Sequence, residues 1–202
     1  MENKTLKEFT EVTFSKEPVP GGGGVSGLVG SLAASLSGMV TSLTTGKKKY
    51  AEYEDEIQSI MKKANELRIS LLNSINADAE AFYPLSKAYA IPKEEPGRDE
   101  KLEECLKLAA NSPFNILKLT SEVINLDLRL ATIGSKLAIS DAATSAMLAK
   151  GALAGAYINV VVNTKLMKDK EYADKLEQEA KAIVDEYSLK ADECYKVVLE
   201  RL

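Results

Sequence analysis

The sequence predicts an all-α protein, a single-domain helical bundle with two nearly uncharged central helices. Three observations predict it. Almost every segment of the 202 residues repeats its apolar positions at helical spacing, and almost none alternates as a strand would. Two long stretches, Pro18 to Gly46 and Asp141 to Lys165, are almost free of charge, as expected for helices enclosed by other helices. No internal repeat or linker divides residues 1–202, so one domain accounts for the chain.

Leu6, Phe9 and Thr13 mark a short opening helix, ended by the PVPGGGG segment at Pro18 to Gly24. A second helix follows from about Val25 to Thr45, with Leu28, Leu32, Leu36, Met39 and Leu43 at core spacing and Gly30, Ala34 and Gly38 as a column for close helix approach. This stretch is long enough to cross a bilayer. Its Gly, Ser and Thr content dilutes the hydrophobicity, and burial inside a bundle with no membrane role is the better reading.

The third helix runs from about Lys49 to Ala88, with a stripe through Ile57, Ile60, Leu67, Leu71, Ile75, Asp78, Phe82 and Leu85. Pro84 lies inside it and predicts a kink with a freed carbonyl near Glu80. Ala90 to Glu100 reads as a loop, Asp99 to Asn111 as a fourth helix, and Pro113 to Ile124 as a fifth with Ser112 as its cap. Leu128 to Ile139 reads as irregular around Gly134. Ser140 is the expected cap of a sixth, alanine-rich helix, Asp141 to Lys165, and an amphipathic last helix occupies about Lys170 to Leu202.

Composition narrows the chemistry. Lys plus Arg number 26 and Asp plus Glu 30, a net charge of -4 that offers no basic field to nucleic acid. There is no histidine, which removes imidazole acid/base catalysis, Ser/His and Cys/His nucleophiles and histidine-containing metal sites. Two isolated cysteines, Cys105 and Cys194, suggest neither a disulfide framework nor a thiolate metal cage. With a charged N-terminus lacking a secretory core, the chain is expected in the cytoplasm.

Several residues are candidates for a site. Asp78 interrupts an apolar stripe, where burial would raise its pKa towards neutrality and suit it to acid/base work; a cap for a neighbouring helix is the structural alternative. Gly22, Gly24 and Gly27 formally spell G-x-G-x-x-G, yet no strand precedes them and no Lys-Ser/Thr pair follows. What remains is a turn whose amides open a helix, ready for an oxygen ligand or merely a tight helix start. Asp141, Asn159 and Asn163 are polar members of the sixth helix, but Asp141 lies roughly 27 Å from Asn159 at 1.5 Å per residue. One small site within one subunit cannot use all three. Lys47, Lys48 and Lys49 complement a helix C-terminus or attract an anionic substrate tail. Tyr83, Tyr89 and Tyr157 can stack on a heterocycle or pack in the core.

Taken together, PVPGGGGVSGLVGSLAASL at Pro18 to Leu36, LTTGKKKY at Leu43 to Tyr50, DAEAF at Asp78 to Phe82, AIPK at Ala90 to Lys93, SDAATSAMLA at Ser140 to Ala149 and NVVVN at Asn159 to Asn163 resemble the cyclodeaminase domain of formiminotransferase-cyclodeaminase. That family includes stand-alone methenyltetrahydrofolate cyclohydrolases, and the likeness covers nearly the whole chain. One departure is Gly21 to Gly24 followed by Val25 and Ser26, where the family usually has three glycines and then Ser.

The resemblance implies an all-helical, usually dimeric enzyme that acts on the one-carbon unit of tetrahydrofolate without metal or redox cofactor. Cyclodeamination closes 5-formiminotetrahydrofolate to 5,10-methenyltetrahydrofolate with loss of ammonia; cyclohydrolysis opens that ring with water to 10-formyltetrahydrofolate. It further implies Asp78 as the proton shuttle. Gly22, Gly23, Gly24, Asp141, Asn159 and Asn163 would then position the pterin and one-carbon unit, and Lys47, Lys48 and Lys49 the glutamate tail. A dimer-interface site would reconcile the distance between Asp141 and Asn159. A non-catalytic helical scaffold is the competing reading.

Overall fold

The computed structural model describes residues 1–202 and consists of six α-helices without a strand. They are α1 Leu6–Phe14, α2 Gly22–Ser42, α3 Glu54–Tyr89, α4 Arg98–Ile133, α5 Ile139–Thr164 and α6 Lys170–Arg201, with a 3-10 stretch over Lys48–Tyr53. Thr5 and Glu8 form a capping box that starts α1, and the Asp169 side chain caps α6 through the Tyr172 amide.

Side-chain contacts fix the register. Down α2, Gly23 meets Asp78, Gly27 meets Ser74, and the Ser31 hydroxyl donates to the Arg68 carbonyl, so α3 runs antiparallel to α2. Gly30 against Thr120 and Ser37 against Asp127 set α4 parallel to α2. Gly22 against Asn159, Gly155 against Ser26 and Ser37 against Ser145 set α5 antiparallel. On α6, Cys194 donates to the Ala142 carbonyl and Arg201 donates to the Ala131 carbonyl, which ties that helix to both α5 and α4. The core is continuous from Ala33 and Leu71 through Leu117 and Ile124 to Leu153 and Cys194.

Three expectations are corrected. The fourth and fifth helices and the first part of the irregular segment, up to Ile133, are one helix, α4, with Ser112 and Pro113 in its interior, while Gly134 to Ala138 are non-helical as expected. Proline there removes one backbone donor and frees the carbonyl four residues back, that of Ala109. Asn163 Nδ2 approaches that carbonyl at 3.4 Å, so α5 covers the gap. Helix α5 starts at Ile139 with Ala138 in the cap position, not at Ser140. The small-residue column against α3 is Gly23, Gly27 and Gly30 with Ala34, whereas a side chain at Gly38 would meet nothing within 4 Å. Pro84 lies inside α3, which continues to Tyr89.

Helices α2 and α5 occupy the middle of the bundle, but each leaves one face open. Leu32 and Met39 are about half exposed on α2, and Ile158 and Val162 are 58% and 57% exposed on α5. Both helices lie on α4 and run antiparallel, which turns their open stripes to the same side of the molecule. Each is long and apolar enough to cross a membrane by length and composition alone. The result is an uncharged double-helix face on a molecule whose remaining surface carries the ion pairs.

Candidate functional site

Asp78 lies at the margin of the core, one turn beyond the buried Ile75. Its carboxyl rests against the backbone of Gly23: a methyl group built on that glycine would lie 2.6 Å from both Cγ and Oδ2 of Asp78. Only a residue without a side chain permits this approach. Gly22 likewise faces Asn159, whose Nδ2 would sit 2.7 Å from an added methyl.

The glycines begin α2, and the first backbone bond of that helix runs from Val25 N–H to the Gly21 carbonyl at 3.0 Å. The amides of Gly22, Gly23 and Gly24 therefore have no partner within the helix ladder, and Gly21 supplies no side-chain cap. The Gly24 amide is directed at Asp78. A carboxyl from α3 thus serves the N-terminus of α2.

Two opposing effects set the proton affinity of Asp78. Burial favours the neutral acid and is the larger, raising the pKa above the ordinary carboxylate value. The Ser112 hydroxyl and the Gly24 amide pull the other way. Ser112 Oγ is buried and interacts with Asp78 without reaching full hydrogen-bond geometry, so its bonding capacity is largely unspent. Asn159 Nδ2 donates to the Gly155 carbonyl at 2.8 Å, and Asn163 Nδ2 to the Asn159 carbonyl at 2.8 Å. The Asn159 amide oxygen remains as an acceptor beside Gly22. The cluster is a partly desolvated carboxyl surrounded by neutral donors and acceptors, an arrangement able to take a proton from one atom and return it to another.

The structure does not bring the remaining candidates to this cluster. Asp141 is in the first turn of α5, and Lys47, Lys48 and Lys49 follow the C-terminus of α2, so both lie at the far end of the antiparallel α2–α5 pair. At 1.5 Å per residue that end is about 30 Å from Gly23. There Lys47 Nζ donates to Ser135 Oγ at 3.2 Å, and the Lys136 amide donates to the Tyr50 hydroxyl at 3.1 Å, the main cause of a lowered Tyr50 pKa. Tyr83 and Tyr89 are nearly half exposed on the outer side of α3, and Tyr83 lines a separate cavity of about 510 Å³ with Pro84 and Lys87. A surface groove of about 600 Å³ runs between α2 and α3 past Gly38 and Arg68. Neither cavity is lined by Asp78.

Two polar residues were missed in the sequence. Its position before Pro113 makes Ser112 a cap by sequence, whereas its place beside Asp78 depends on the unbroken α4. Asp127 is fully buried between Ile124 and Leu130, three residues from each, the same signal that singled out Asp78. The expected irregular segment from Leu128 hid it.

Residues 5–182 match the formiminotransferase-cyclodeaminase family. A methenyltetrahydrofolate cyclohydrolase of Methylorubrum extorquens is 34% identical over 204 residues, covering 99% of this chain and 98% of that protein. A formimidoyltransferase-cyclodeaminase of Dictyostelium discoideum is 29% identical over 98% of this chain, which spans 36% of that longer protein. The crystal structure of formiminotetrahydrofolate cyclodeaminase from Thermotoga maritima superposes with a TM-score of 0.84 at 30% identity, covering 100% of this chain and 96% of that one.

Proposed function

The chain belongs to the formiminotransferase-cyclodeaminase family, and from that premise we propose that it is a cytoplasmic 5,10-methenyltetrahydrofolate cyclohydrolase with Asp78 as its acid/base group. The observation that carries the reading is the Asp78 carboxyl, its pKa raised by burial, seated on the open amides of α2 in a chain without histidine. The full-length match to a cyclohydrolase supports the choice of reaction.

The chemistry follows from the charge of the substrate. The methenyl carbon is an amidinium flanked by N5 and N10, and the ionised Asp78 takes a proton from water as its oxygen adds there. The resulting tetrahedral carbon expels N5, which receives the proton back from Asp78. Loss of the remaining hydroxyl proton gives the formyl group on N10, so the balance is methenyltetrahydrofolate plus water to 10-formyltetrahydrofolate plus one proton. A carboxyl of raised pKa serves both transfers, because burial makes it a stronger base than an ordinary carboxylate while leaving it able to return the proton. Asn159, Asn163 and the Gly22 to Gly24 amides bind the polar edge of the pterin, with no metal or redox cofactor taking part.

A homodimer would complete the site. The uncharged α2–α5 face offers an apolar surface for pairing, and a two-fold axis lying in that interface and running across the helices would set the Asp78 end of one copy against the Lys47 end of the other. Lys47, Lys48, Lys49 and Asp141 of one subunit would then meet the substrate held by Asp78 of its neighbour.

Ring closure of 5-formiminotetrahydrofolate is the second reading, favoured by the likeness to the Thermotoga maritima cyclodeaminase. The same carboxyl would protonate the departing ammonia. Supplying methenyltetrahydrofolate and 5-formiminotetrahydrofolate separately, and following the near-ultraviolet absorbance of the methenyl ring, distinguishes the two. Faster loss of absorbance from the first supports the cyclohydrolase, and faster gain from the second overturns it.

A further inference from the structure

Asp127 lies on α4 with no exposed surface, between Ser37 of α2 and Ser145 of α5, which are equally enclosed. Ser37 Oγ is 2.6 Å from Oδ1 and Ser145 Oγ is 2.6 Å from Oδ2. Ser145 Oγ is also 2.7 Å from the Ala33 carbonyl oxygen of α2. Each of these three short oxygen–oxygen contacts requires a proton between its atoms, since two lone pairs at that distance repel. The hydroxyls of Ser37 and Ser145 supply one proton each. Neither the Ala33 carbonyl nor an ionised carboxylate has one to give.

We infer that Asp127 is a neutral carboxylic acid in the folded protein, the proton-bearing member of a clamp that fixes the register of α2, α4 and α5. Its Oδ2–H donates to Ser145 Oγ, Ser145 donates to the Ala33 carbonyl, and Ser37 donates to Oδ1. Every short contact is then satisfied. No cation offsets a charge at this position. Helix α2 presents only Ser37 and the Ala33 carbonyl, α5 only Ser145, and α6 the Cys194 thiol, itself pushed up to about 12 chiefly by burial. The charged pairs joining α3 to α4, Glu56 with Arg129 and Lys63 with Glu122, lie on the surface. Burial raises the Asp127 pKa to about 8 against the two serine bonds.

Asp127 is also a positioning residue. The three helices it joins carry Gly23, Ser112 and Asn159, and a slip of any one would part the Asp78 cluster. This second consequence rests on the proposed role of Asp78; the protonation does not.

The test compares the wild type with Asp127→Asn and Asp127→Ala by chemical denaturation between pH 5 and 9. An amide reproduces the neutral acid, accepting from Ser37 and donating to Ser145. The folded state keeps a proton that the unfolded state releases, so the wild-type folding constant falls by up to about tenfold per pH unit up to about pH 8. Asp127→Asn should remove this slope and match or exceed the wild type near pH 8, while Asp127→Ala loses stability throughout. Infrared spectra of the wild type give an independent reading: a protonated-acid carbonyl band that disappears on titration and is missing from Asp127→Asn. An unchanged slope in Asp127→Asn, or no such band at pH 7, would overturn the inference. Carboxyl NMR of Asp78, moved by Asp127→Ala and restored by Asp127→Asn, tests the positioning without substrate; an unmoved signal in the alanine variant removes that part alone.

Discussion

The carboxyl of Asp78 occupies the space that a side chain on Gly23 would need. A catalytic candidate on α3 and a glycine on α2 are therefore parts of one steric arrangement. Gly23→Ala should displace Asp78 and cost about 1–3 kcal/mol, the usual penalty for overpacking. Gly38→Ala is the matched control, because its methyl would meet nothing within 4 Å. It should gain about 0.5–1 kcal/mol from helix propensity and keep its turnover. Denaturation midpoints and methenyltetrahydrofolate turnover separate the pair.

Asp78→Asn preserves shape and the acceptor for the Gly24 amide while removing the proposed proton carrier. Turnover should fall by about 10²–10⁴-fold. Circular dichroism and the melting temperature should stay near wild type, since burial already disfavours the charged form. A folded variant with full turnover would end the assignment.

The pH dependence has a definite sign. Asp78 must be ionised to accept a proton, so kcat/KM should rise with pH through a pKa above the ordinary carboxylate value. Ser112 favours the ionised form, and removing it raises that pKa further. The acidic limb of the Ser112→Ala profile should accordingly move to higher pH. A limb that stays in place would show that the two groups do not interact.

Shared sites predict complementation between inactive chains. Asp78→Asn subunits mixed with Lys47→Glu/Lys48→Glu subunits should regain turnover, because each mixed dimer of the proposed kind would hold one site built from two intact halves. No recovery on mixing would confine the site to one subunit.

Ile158→Glu puts a charge on the α5 face at a position 58% exposed in the single chain. Folding should change by no more than about 0.5 kcal/mol, as for most exposed substitutions. Sedimentation should show the monomer, with turnover reduced at low protein concentration; an unchanged dimer would direct attention to another face.

The helices were legible in the sequence where their apolar spacing is regular, as from Ile57 to Leu85. The break expected at Pro113 was not there. Proline is a weak stop when a neighbour can take up the carbonyl it frees, and Asn163 lies too far along the chain for a local pattern to reveal it. Asp78 could be found because it interrupts a stripe. Its partnership with Gly23 depends on the pairing of α2 with α3, which periodicity leaves open. The lysine cluster was visible as composition, but its separation from Asp78 becomes evident only once α2 is seen to span the molecule.

The parallel course of α2 and α4 restricts how this chain can vary. About four helical turns separate Gly23 from Ser37 on one helix and Ser112 from Asp127 on the other. A single inserted residue between either pair would rotate everything beyond it by about 100° and point one of the two away. Related chains should therefore differ in length in the Ala90 to Gly97 connection, while these spans accept substitution but neither insertion nor deletion.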